Sequence, residues 1–108
     1  MWFVFPQIAG LGHSSIAREY AISGPDEARA YLSHPVLGAR LVECAQILTS
    51  TTGVSAVDIF GPVDAMKLRS SMTLFAEVTD DDRDFRVVLE RHYGGQPDPL
   101  TVELLGPD

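Results

Sequence analysis

The sequence predicts an all-α fold: a single small orthogonal helical domain of about five to six helices, with an irregular or extended N-terminal segment. Three observations carry this expectation. Apolar residues recur at helical spacing, most clearly at Leu37, Leu41, Cys44 and Leu48. Proline and glycine punctuate the chain where such stretches begin or end: Gly24-Pro25, Pro35, Gly61-Pro62, Gly94-Gly95 and Pro99. No run of alternating polarity stands out beyond "MWFVF" at the start. With 108 residues, 45% of them hydrophobic, the chain has the size of one domain and enough apolar surface for a core.

Residues 1–13 read as extended or irregular, broken by Pro6, Gly10 and Gly12. Ser14 or Ser15 can cap a helix running to about Ile22, with Ile16, Ala17 and Tyr20 on one face. "SGPDEARAYLSH" is a second helix. Pro25 suits its first turn, Asp26 and Glu27 suit its positive end, and Ala28, Tyr31 and Leu32 form its apolar face. Pro35 opens a third helix, which "TSTTG" ends. "SAVD" at 55–58 has the capping-box form and starts a short helical turn. Gly61-Pro62 begins a long helix over about 62–78. After the acidic "TDDDRD", a further helix runs from about Asp82 to Tyr93 with Phe85, Val88 and Leu89 inward. It stops at Gly94-Gly95, and Asp98-Pro99 cap and start a last short helix.

Bulk properties exclude several function classes. A formal net charge of −7 opposes binding to nucleic acid or to anionic membranes, both of which are recognised through Lys and Arg. The longest purely apolar run, "MWFVFP", is far below the ~20 residues of a spanning helix. It also lacks the basic leader of a signal peptide. The one cysteine, Cys44, rules out an internal disulfide and a cysteine-based metal site, and a reduced, cytoplasmic setting follows. His13, His34 and His92 have no metal-ligand spacing, and Asp80–Asp84 lack the calcium-loop pattern, so neither a metal nor a cofactor is expected. His34 before Pro35 reads as a cap or turn residue, His92 as a cation suited to a helix C-terminus, and Cys44 as an inert core residue.

Two stretches are candidates for chemistry. In "PVDAMKLRSSMTLFAEV", the buried face of the helical wheel is set by Leu68, Met72, Leu74, Phe75 and Val78. Asp64, Lys67 and Ser71 fall inside that face, while Arg69, Ser70, Thr73 and Glu77 point outward. Lys67 is the only lysine in the chain. The three residues are either an i, i+3 ion pair beside a back-bonded serine, or the polar lining of a ligand cavity. The second stretch, "GLGHSS" at 10–15, lacks the third glycine of a dinucleotide fingerprint and the lysine of a Walker loop. It remains a candidate anion cradle, in which a glycine loop feeds a helix N-terminus and His13, Ser14 and Ser15 add donors. The alternative is a tight turn at Gly10 and Gly12 with Ser14 as a cap.

"WFVFPQIAGLGHS", "EARAYLSHPVLGARL", "IFG", "DAMKLRSSMTLFA" and "YGGQPDPLT" together resemble the family called domain of unknown function 1810, in order and over essentially the whole chain. The resemblance implies a small, mostly helical bacterial protein with no established activity. Members of the family usually begin earlier, with an additional helical segment ahead of the stretch that aligns with Met1–Pro6. The chain thus reads as an N-terminally shortened form. Gln7, Gly10, Gly12, Ser14, Asp64, Lys67 and Ser71 are the polar or glycine positions it shares with the family pattern. Two functions stay open. One is binding of, or action on, a small anionic metabolite that bears phosphate or is nucleotide-like, with Gln7, Gly10, Gly12, His13, Ser14, Asp64, Lys67 and Ser71 as the site. The other is a non-catalytic interaction module that uses the apolar start, self-associating through Trp2, Phe3 and Phe5.

Overall fold

The structure, a computed structural model, describes residues 5–11, 21–50 and 56–106. Among these it is helical, with α1 over Pro25–Ser33, α2 over Leu37–Ser50, α3 over Ala56–Phe60, α4 over Pro62–Val78, α5 over Arg83–Tyr93 and α6 over Pro99–Leu105. No helix among the described residues is long and apolar enough to cross a membrane.

Local chemistry sets the helix ends. Ahead of α1, the Ser23 hydroxyl and backbone N–H both donate to Glu27 Oε2, at 2.6 and 3.3 Å. Residue His34 is extended, as the residue before a proline tends to be. Its Nδ1 accepts from the N–H groups of Val36 and Leu37, each at 3.1 Å, so the histidine caps α2 as its sequence position suggests. "TSTTG" does not stop α2 at its first residue: the Thr49 and Ser50 hydroxyls donate back to the Ala45 and Ile47 carbonyls and the helix runs on to Ser50. α5 ends where Gly94 takes a left-handed conformation, φ 64°.

α4 is the centre of the fold. It packs against α1, α3, α5 and α6, and α5 also packs against α2. Phe75 of α4 stacks at a tilt between Tyr31 of α1 and Phe85 of α5, with ring centroids 5.5 and 5.9 Å apart. Phe85, Val88 and Leu89 are buried, as the periodicity of α5 predicts. Leu41 and Leu48 of α2 are buried, while Leu37 and Cys44 are half-buried.

The structure corrects three expectations. A helix continuing to about Ile22 is not seen at its end. Ile22 is extended and pairs with Ile8 in a parallel bridge, its N–H donating to the Gln7 carbonyl at 2.8 Å and its carbonyl accepting from Ala9 at 2.7 Å. The rest of that expected helix lies outside the described residues. Ser70 and Thr73 do not point to solvent but are buried, because α6 and the turn before it cover that side of α4. Phe5 is 6% exposed and belongs to the protein's own core, so it is not a free contact surface. Trp2 and Phe3 lie outside the described residues.

Candidate functional site

α4 carries polar residues on two sides, and the structure gives each side a different role. On the first, Asp98 Oδ2 accepts from Ser70 Oγ at 3.1 Å, from the Thr101 hydroxyl, and from the Thr101 N–H at 3.2 Å. The Asp98 N–H donates to Thr73 Oγ1 at 2.8 Å, and Thr73 donates to the Arg69 carbonyl at 2.8 Å. Arg69 in turn donates to the Gln96 and Pro97 carbonyls at 3.0 and 2.9 Å, and Tyr93 donates its phenol proton to the Ala65 carbonyl. Burial pushes the Tyr93 phenol up to about 12. "YGGQPDPLT" is therefore a clamp: it caps α6 and fastens it to α4 through groups whose hydrogen bonds are satisfied within the protein. Hydropathy places Arg69, Ser70 and Thr73 on the outward side. The usable signal was Asp98, whose capping role the sequence predicts, lying ahead of a helix that needed something to pack on.

The second side carries the three predicted residues. Lys67 Nζ lies 3.6 Å from Asp64 Oδ1, with side-chain exposures of 22% and 42%. Lys67 is thus half-buried rather than enclosed, and the pair has the modest worth of a partly solvated i, i+3 ion pair. Ser71 is fully buried one turn beyond Lys67, and its Oγ has no hydrogen-bond partner. The back-bond expected of Ser71 is not made. Such a buried orphan is uncommon, because it has lost its water without replacement.

The N-terminal residues fall into two groups. Gln7 is half-buried, and its carbonyl is tied to Ile22. Gly10 has φ 104°, a left-handed conformation that a side chain disfavours. A Cβ there would lie 3.3 Å from Leu104 Cδ1 of α6. Gly10 thus lets the chain turn tightly against α6, which also packs on α4. Gly12, His13 and Ser14 lie outside the described residues.

Of the remaining candidates, His92 has a structural partner at one ring nitrogen, and its Nδ1 is buried without one. His92 Nε2 lies 3.0 Å from the Leu48 carbonyl, to which it can only donate, and joins the end of α5 to α2. Cys44 is a free, half-buried thiol. No group of three His, Cys, Asp or Glu among the described residues could hold a metal ion. A shallow cleft lies between α1, the end of α4 and the end of α6, lined in part by Pro25, Arg29, Glu77, Val78 and Leu105. Its arginine already donates to the Val78 carbonyl at 3.2 Å and to Asp26 at 3.1 Å.

Comparison with known proteins agrees with this helical architecture. The crystal structure of the conserved hypothetical protein Rv1873 from Mycobacterium tuberculosis superposes with a TM-score of 0.96 at 51% sequence identity, over 99% of this chain and 76% of that one. No match is found among curated proteins. The family model described as "Protein of unknown function (DUF1810)" matches residues 1–105, and the chain belongs to that family.

Proposed function

We propose that the protein binds a small anionic metabolite, phosphate-bearing or nucleotide-like, on the side of α4 that carries Asp64, Lys67 and Ser71, with Gln7, Gly10, Gly12, His13 and Ser14 as further candidate ligand-binding positions. One observation carries this reading: the buried hydroxyl of Ser71 has no protein partner and sits one turn from the half-buried Lys67. An ammonium and an unused hydroxyl donor on one helix face suit an acceptor-rich anion. A metabolite screen by thermal shift tests it, with Lys67→Ala as control, because a true ligand stabilises in proportion to the logarithm of its excess over Kd. Phosphate or sulfate should raise Tm more than chloride at matched ionic strength, and the gain should shrink in Ser14→Ala and His13→Ala. A gain that survives both substitutions is general salting, not a site.

A second reading, a protein-interaction module, is supported by a different surface from the one the sequence suggests. Phe5 is in the core, but Val63 and Met66 on the first turns of α4 are 65% and 71% exposed. Polar substitution of both should leave stability within about 0.5 kcal/mol. Sedimentation of the double variant against the parent then reports whether this strip mediates self-association.

A further inference from the structure

At the other end of α4 from Asp64, roughly 20 Å along the helix axis, α1 and α6 flank the last turn of α4 and leave a cleft of about 520 Å³. That volume falls within the range of about 300–1,000 Å³ typical of small-molecule sites. We propose that this cleft binds a free α-amino acid with an aliphatic side chain: Arg29 takes its carboxylate, Asp80 its ammonium, and Val102 and Leu105 its side chain. The site shares no residue with the anion site above.

Arg29 is held in place without being used up. Its Nε donates to the Val78 carbonyl at 3.2 Å and its Nη1 to the exposed Asp26 at 3.1 Å, which leaves Nη2 without a partner among the described residues. A guanidinium N–H so placed suits a carboxylate. Asp80 is the complementary case. The backbone leaves α4 extended at Thr79, and Asp80 follows on the rim of the same cleft. Its carboxylate makes no ion pair or hydrogen bond among the described residues, with Arg29 or any other group. The last turn of α4 has no basic side chain, so the negative helix end adds to the attraction of Asp80 for a cation. The other two carboxylates of the cleft are already matched, Asp26 by Arg29 and Glu77 by Arg86, each at 3.1 Å. An open cation and an open anion thus line one cleft without joining each other. A ligand with a single charge leaves one of them unmet, whereas a zwitterion meets both. Among the described lining residues no further charge is unpaired, so a charged side chain has no counterpart. An aliphatic one has Pro25, the exposed Val102 and the half-buried Leu105 to lie on.

Titration of L-leucine into the 15N-labelled protein tests the site. N-acetyl-L-leucine, L-leucinamide and glycine serve as probes that lack the ammonium, the carboxylate and the side chain in turn. L-leucine should cause saturable shifts at the amides of Arg29, Asp80, Val102 and Gly106. Each lesser probe should bind at least about ten-fold more weakly, the scale of one lost charge-assisted hydrogen bond or one uncovered aliphatic side chain. Asp80→Asn should weaken L-leucine and leave N-acetyl-L-leucine unchanged, because that probe has no ammonium to lose. Arg29→Gln should weaken L-leucine and leave L-leucinamide unchanged, because that probe has no carboxylate. Arg29→Gln also gives up the contact to Val78; if it does not fold, Asp80→Asn, at an exposed position, carries the test alone. An absence of shifts with L-leucine at tens of millimolar overturns the proposal. Equal binding of the four probes, or L-leucine binding that Asp80→Asn does not weaken, overturns it as well.

Discussion

Ser71 bears a hydroxyl that no protein group meets, and removing it tests why it is there. A buried donor without a partner has lost water and gained nothing, a penalty of about 1–3 kcal/mol. Ser71→Ala is therefore expected to leave stability unchanged or raise it by about 1 kcal/mol in urea melts. A loss comparable to an ordinary core truncation would instead show that the hydroxyl serves the fold. Sites that trade stability for function have this signature. Tyr93 is the opposite case, a polar group whose partner is in place. Burial raises its phenol from 10.0 to about 12, so the neutral form is favoured in the folded protein. The contribution is full below pH 10 and is lost as pH rises through about 12. Urea melts between pH 8 and 12 should show stability falling along an alkaline arm, and Tyr93→Phe should flatten it. Some slope should remain, because burial also raises the Tyr31 phenol.

At the scale of the element, the clamp around Asp98 and the contact between α1 and α2 are the joints most exposed to mutation. Asp98→Ala removes one acceptor from two hydroxyls and a backbone N–H. We expect a cost of about 2–4 kcal/mol, a lost helix cap plus stranded donors. Gly38 sits where α2 crosses the end of α1, and a Cβ there would run into the Leu32 carbonyl oxygen. Gly38→Ala should cost about 2–3 kcal/mol in thermal or urea melts, since backbone rather than a flexible side chain must move. These joints divide what the sequence showed from what it did not. The start of α4 at Pro62, of α6 at Pro99 and the end of α5 at Gly94 were legible, because proline and glycine act through their own backbones. The burial of Ser70 and Thr73 was not, because it depends on a helix that arrives more than twenty residues later and brings its own carboxylate. Ile22 was misread for a similar reason, since its partner Ile8 is distant in sequence. At the candidate site, Asp64, Lys67 and Ser71 stood out as polar residues on an apolar stripe. Their true exposures did not, because a wheel gives direction and not depth.

Across the whole molecule, the N-terminal segment is bound to the rest by the Ile8–Ile22 bridge and by Phe5 in the core. Phe5→Ser should destabilise the protein by about 3–5 kcal/mol in urea melts. An interface residue would instead change self-association and leave stability alone. The arrangement around α4 also bears on how the chain is made. Its partners α1 and α3 precede it, and α5 and α6 follow it. A ribosome releasing the chain delivers the central helix before half of its covering exists. From the appearance of Val78 until Leu105 has cleared the exit tunnel, the polar side of α4 that Asp98 will fasten has no lid, and Phe75 has yet to meet Phe85. The nascent chain therefore displays a helix with many residues to bury through that interval, when hydrophobic surface is most prone to wrong partners. Stalling before α6 should yield a protease-sensitive, chaperone-bound intermediate, whereas release after Leu105 should yield a chain able to close at once.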